Sequence, residues 1–92
     1  MSDIYKQARD IENKARSYID NPGSNECQAL LKEARDLCES IEMKKSPDHV
    51  EDRVERVMDR VEVAKNSGHV SNGDADDLED RLRDLQQILR KM

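Results

Sequence analysis

Apolar residues recur along the chain at alternating steps of four and three. Ile4, Ala8, Ile11, Ala15 and Tyr18 form one such series, and Cys27, Leu31, Ala34, Cys38 and Ile41 a second. Val50, Val54, Val57, Val61 and Ala64 form a third. The fourth is Ala75, Leu78, Leu82, Leu85, Leu89 and Met92. An α-helix turns once in about 3.6 residues, so this spacing lines up one side of a helix and resembles the a/d seam of coiled-coil packing. One match is ordinary; four in succession predict four amphipathic helices. Leu30, Leu37, Met58 and Ile88 lie beside the seams, where they either thicken a core or form a face for a dimer or another partner.

The polar punctuation between the series agrees with that reading. Asn21-Pro22-Gly23 stops the first helix, because a residue before proline avoids helical backbone and glycine accepts a turn. Ser24 or Asn25 can cap the second, with Gln28 at loose capping-box spacing from Asn25. Lys44 and Lys45 lie where positive charge offsets a helix C-terminus. Ser46-Pro47-Asp48 is a strong start, with Ser as N-cap and Pro at the first helical position. Asn66-Ser67-Gly68 supplies a stop, and Ser71 or Asp74 caps the fourth helix.

Helices are therefore expected at about 3–20, 25–45, 47–66 and 72–91, in a single domain spanning 1–92. Short loops make sequential helices antiparallel, so the predicted fold is all-α, a compact antiparallel four-helix bundle with coiled-coil-like heptad seams. Ile4, Ile41, Val50 and Leu89 would lie near one end, and Tyr18, Cys27, Ala64 and Leu78 near the other. Leu82 would point inward and Arg81 to the outer face. The alternative continues helices two and three across Ser46-Pro47 as one kinked rod, giving two helical hairpins that pair in a dimer. Faint echoes, Lys6–Ile11 with Lys32–Leu37 and Glu51–Val54 with Glu79–Leu82, follow from shared heptad composition as readily as from duplication.

Composition narrows the functional classes. Apolar residues make up 35% of the chain and charged residues 40%, without Trp or Phe. Mixed-sign charge around a periodic apolar stripe is the signature of helical bundles rather than of disorder. No apolar run approaches the ~18 residues of a membrane span, and the N-terminus lacks a signal-peptide core, so a cytoplasmic protein is expected. Cys27 and Cys38 would stand ~16 Å apart along one helix and could not pair with each other. Free thiols suit a reducing compartment.

Residues for chemistry are scarce. Both cysteines fall on an apolar seam, where a thiolate is disfavoured. Of the two histidines, His49 reads as a solvent-facing residue at a helix start and His69 as a loop residue. No Cys-x-x-Cys, His-Glu-x-x-His or Glu-x-x-His pattern is present, and no glycine-rich phosphate loop. Asn72–Asp77 briefly resembles a calcium loop, but lacks its central glycine and has Arg83 in place of the closing Glu. The chain is thus expected to be non-enzymatic, without metal or cofactor. A net charge of −5 and the absence of a basic run longer than two residues, as at Lys44-Lys45, argue against direct nucleic-acid binding.

The acid is distributed unevenly. Residues 1–46 carry eight bases and nine acids, whereas residues 47–92 carry eight bases and twelve acids. Asp74, Asp76, Asp77, Glu79 and Asp80 cluster with no base among them. Acids at a helix start favour the backbone dipole, which accounts for Asp74 and Asp76 better than for Glu79 and Asp80. The expected function is accordingly a protein-interaction module, a small regulator or inhibitor that docks this cluster on a basic surface of a partner protein. Two alternatives stand beside it: a phage-type nucleic-acid mimic that inhibits a nuclease, restriction or CRISPR complex, and a self-associating structural protein, in the simplest case a homodimer.

Overall fold

The structure, a computed structural model, describes residues 2–92, with side chains from Ile4 onward. Met1, the first residue of the expected 1–92 domain, lies outside the described residues. Four helices follow in order: α1 (Ser2–Tyr18), α2 (Asn25–Glu42), α3 (Pro47–Asn66) and α4 (Asn72–Arg90). No strand occurs among the described residues. Three starts are fixed by serine N-caps. The hydroxyls of Ser24, Ser46 and Ser71 accept hydrogen bonds from the backbone N–H groups of Cys27, His49 and Asp74.

The helices form a closed ring of neighbours within one chain. α1 packs on α2, α2 on α3, α3 on α4, and α4 returns to α1. Packing of α2 against α3 is incompatible with the kinked rod, which would hold those helices end to end. The body measures 35 × 21 × 18 Å. Its core takes the expected apolar seams of α1, α3 and α4 except at Tyr18, only partly covered, and Met92, exposed; Ile11, Val54, Val57, Val61, Leu78, Leu82 and Leu85 are fully enclosed.

On α2 the buried stripe is widened to one side, with Cys27, Ala34 and Cys38 of the expected seam still buried. Leu30 and Leu37 are fully enclosed, while Leu31 and Ile41, expected on the seam, are only partly covered. The series Cys27, Leu30, Ala34, Leu37 and Ile41 has the same alternating spacing as the expected one. Periodicity alone could not choose between two stripes that share three members; enclosure of the larger side chains did. Met58 and Ile88 pack on the core from its margin.

Two helices end sooner than expected. α1 stops at Tyr18, and the Asp20 N–H donates instead to the His69 carbonyl at 2.9 Å. α2 stops at Glu42 rather than near Lys45 because Lys44 turns into the left-handed region, at φ 59°. Its N–H donates to the Ile41 carbonyl and that of Lys45 to the Ser40 carbonyl, both at 3.0 Å, satisfying the last carbonyls of the helix. Gly68, at φ 81°, turns the chain in the same way after α3.

The two ends of the bundle are finished differently. Where α1 and α3 end, the loops meet through the Asp20–His69 hydrogen bond, Val70 is buried, and Tyr18 and Ile19 cover the core. The other end gathers Ile4, Ile41, Val50 and Leu89, as expected, but among the described residues only the short turn between α2 and α3 spans it. An open cleft of about 450 Å³ remains there.

Two polar residues enter the interior. Ser40 donates to the Leu37 carbonyl at 2.7 Å. Glu12 is 8% exposed and reaches Arg16 at 2.8 Å, one turn along α1. Its second carboxylate oxygen accepts from the Cys38 thiol at 3.6 Å.

Candidate partner-binding surface

The five clustered acids occupy the first two and a half turns of α4, and the helix distributes them to three sides. With the core side defined by Ala75, Leu78 and Leu82, steps of about 100° per residue carry Asp76 and Asp80 to the outer face. Both are exposed. Asp77 falls on the flank towards α1 and Glu79 on the flank towards α3. Asp74 lies half-exposed in the first turn, where its N–H is taken by the Ser71 cap at 3.2 Å.

Asp77 is tied into an interhelical network. It accepts from the Tyr18 hydroxyl at 2.5 Å and from Arg81 Nε at 3.1 Å. The Tyr18 hydrogen bond, followed by that of Arg81, holds the Asp77 carboxyl below the usual carboxylate range. The same bond raises the Tyr18 hydroxyl above its usual value. Arg81 also donates to Asp10 on α1. Arg81 therefore stands between α1 and α4 instead of on the outer face, because the helix rotation that centres Leu82 in the core brings residue 81 to the α1 flank.

Glu79 faces the opposite neighbour. Its side chain is 14% exposed and lies 3.6 Å from Arg83. Burial, reinforced by a hydrogen bond with Glu62 of α3, raises its pKa. Glu62 shifts the other way, because Lys65 bonds to it at 3.1 Å. Asp80 has Arg83 at 3.3 Å, both well exposed. Asp74 and Asp76 make no ion pair within 4 Å among the described residues. The cluster that has no base within its own stretch is thus partly neutralised by bases from the next turn and from α3.

A second acidic groove lies between α2 and α3. Glu33 of α2 and Asp52, Glu55 and Asp59 of α3 line one groove together with Arg56 and Arg60. Glu33 alone comes from α2; the rest of the row lies on one face of α3. Asp52 is paired with Arg56 at 3.1 Å, and one Glu33 oxygen is buried without a hydrogen-bond partner.

The groups expected to be inert are spread through the fold. Both thiols are buried. That of Cys38 is pushed up to about 12, by burial first and by the Glu12 carboxylate second. His49 is exposed at the start of α3, while His69, partly covered, lies 3.7 Å from Glu26. Neither thiol is hydrogen-bonded to an imidazole among the described residues, and no three His, Cys, Asp or Glu side chains are grouped to share a metal ion there. No helix is long and apolar enough to cross a membrane. Compared with protein-family models, curated proteins and solved structures, the chain finds no match.

Proposed function

We propose that the chain is a non-enzymatic interaction module of the cytoplasm, a small regulator or inhibitor that presents the outer face of α4 to a basic surface of a partner protein. The supporting scaffold is an up-down-up-down antiparallel bundle with coiled-coil-like seams. That topology is favoured by the gathering of Ile4, Ile41, Val50 and Leu89, from alternating helix starts and ends, around one cleft. The observation that carries the functional reading is the pair Asp76 and Asp80, one turn apart and exposed on the outer face of α4. Asp77 and Glu79 are committed to neighbouring helices and serve to hold that face in place. Exposed carboxylates of this kind act at long range, raising association rates with a basic partner and losing effect as salt screens them.

Affinity capture from the native host, with identification by mass spectrometry, tests the reading. Asp76→Asn/Asp80→Asn should lose a basic partner that the wild-type chain retains, and rising salt should release the same partner. Unchanged capture by the double variant, with helicity intact by circular dichroism, would overturn it.

A further inference from the structure

Among the described residues only the α2–α3 turn spans one end of the bundle, and an apolar cleft opens there. Ile4, Ile41, Val50 and Leu89 wall its cleft, with Tyr5 and Met92 beside them. At about 450 Å³ it falls within the ~300–1,000 Å³ of small-ligand sites. A helix or a second copy of the chain would need a far broader contact, about 800 Å² on each partner in a stable complex.

Among the described residues, the charge lining the cleft is opposite in sign to that of the chain as a whole. Lys44 and Lys45 line this cleft in a protein of net charge −5, and Glu42 is the one acid lining it among the described residues. The N-terminus of α3 opens beside them at Pro47, adding the positive end of a helix dipole. Lys44 occupies a backbone conformation in which glycine is the usual residue, so a cationic side chain is kept where it carries a conformational cost.

From the apolar walls and the two lysines that line the cleft we infer that it binds one medium-chain acyl carboxylate. Its hydrocarbon chain lies among the aliphatic walls and its carboxylate pairs with Lys44 and Lys45. This site is at the bundle end and does not depend on the outer face of α4.

Titration of the full chain with monomeric octanoate, followed by amide NMR shifts, tests the inference. Shifts should saturate and concentrate at residues 41–50 and around Leu89. Decanoate should bind about fifteenfold more tightly, from roughly fourfold per added methylene. Octan-1-ol, of equal chain length but neutral, should bind at least fivefold more weakly than octanoate. Lys44→Gln/Lys45→Gln should lower octanoate affinity to the level of the alcohol while leaving octan-1-ol binding unchanged, a readout that also reports an intact cleft. Equal binding of octanoate and octan-1-ol would overturn the inference. So would shifts scattered away from this end, self-association during the titration, or binding confined to phosphatidylglycerol vesicles.

Discussion

Leu82 offers the sharpest test of how the interior is built. It is fully buried in the middle of α4, with Leu78 and Leu85 enclosed on either side. Leu82→Ala removes three carbons where the surrounding helices can relax only in part, a change that costs about 2–5 kcal/mol. Unfolding entropy near 2.1 cal/mol/K per residue, over 92 residues, gives roughly 0.2 kcal/mol per degree. A central loss of about 3 kcal/mol therefore lowers Tm by about 15 °C. The measurement is thermal unfolding followed by circular dichroism at 222 nm. Asp80→Asn, on the wet side of the same helix, is the control; its pair with Arg83 is exposed, and such surface changes stay within about 0.5 kcal/mol.

Leu82→Asp adds an electrostatic signature. In the folded core its carboxyl would have a pKa above the ~3.9 of the unfolded chain. Protons are then bound more tightly by the folded state, so the variant loses stability as pH rises above the unfolded value. It should be less stable at pH 7 than at pH 4. A drop for Leu82→Ala smaller than about 5 °C, or an equal drop for Asp80→Asn, would refute the assignment of the faces.

Three further outcomes follow from particular contacts. The depressed Asp77 pKa means that its bonds to Tyr18 and Arg81 stabilise the fold above the ordinary carboxylate pKa and fail as pH falls through the lower folded value; Tyr18→Phe should lower Tm at pH 7 and flatten its decline in acid. The Cys38 thiol, buried and raised to about 12, should resist iodoacetamide at pH 8 in the native protein and react fully in urea, as peptide mass spectrometry would show. Lys44→Gly relieves the left-handed strain at φ 59° and should stabilise the fold by about 0.5–1 kcal/mol in urea titrations.

Much of this architecture is legible in the chain because repeated local signals agree. Serine caps, Pro47 and Gly68 set the helix limits, and the alternating apolar steps set their inner faces. What was illegible depended on rotation or on a neighbour. Leu30 and Leu31 both fit a stripe, and only packing against α3 and α1 selected Leu30. Lys44 has no glycine to announce a left-handed turn, so α2 reads as longer than it is. The acidic cluster is plain in sequence, but its splitting among three faces is not, because Tyr18 and Glu62 approach from distant segments. Glu12 reads as one more surface acid of α1; its burial depends on meeting the Cys38 thiol across two helices.

That meeting bears on how α1 is placed along α2. Arg16 belongs to the same helix as Glu12 and would accompany it in any slippage, whereas Cys38 would stay behind. Sliding α1 by one turn would set the carboxylate opposite Ala34 or Ile41, side chains with no hydrogen to donate. The oxygen facing the thiol would then have only Arg9, at 4.0 Å, and a buried acceptor short of a donor costs up to about 1–3 kcal/mol, while evenly repeated carbon surfaces fit almost as well at each step. A single thiol–carboxylate contact thus singles out one sliding position among several that the repeating seam would tolerate.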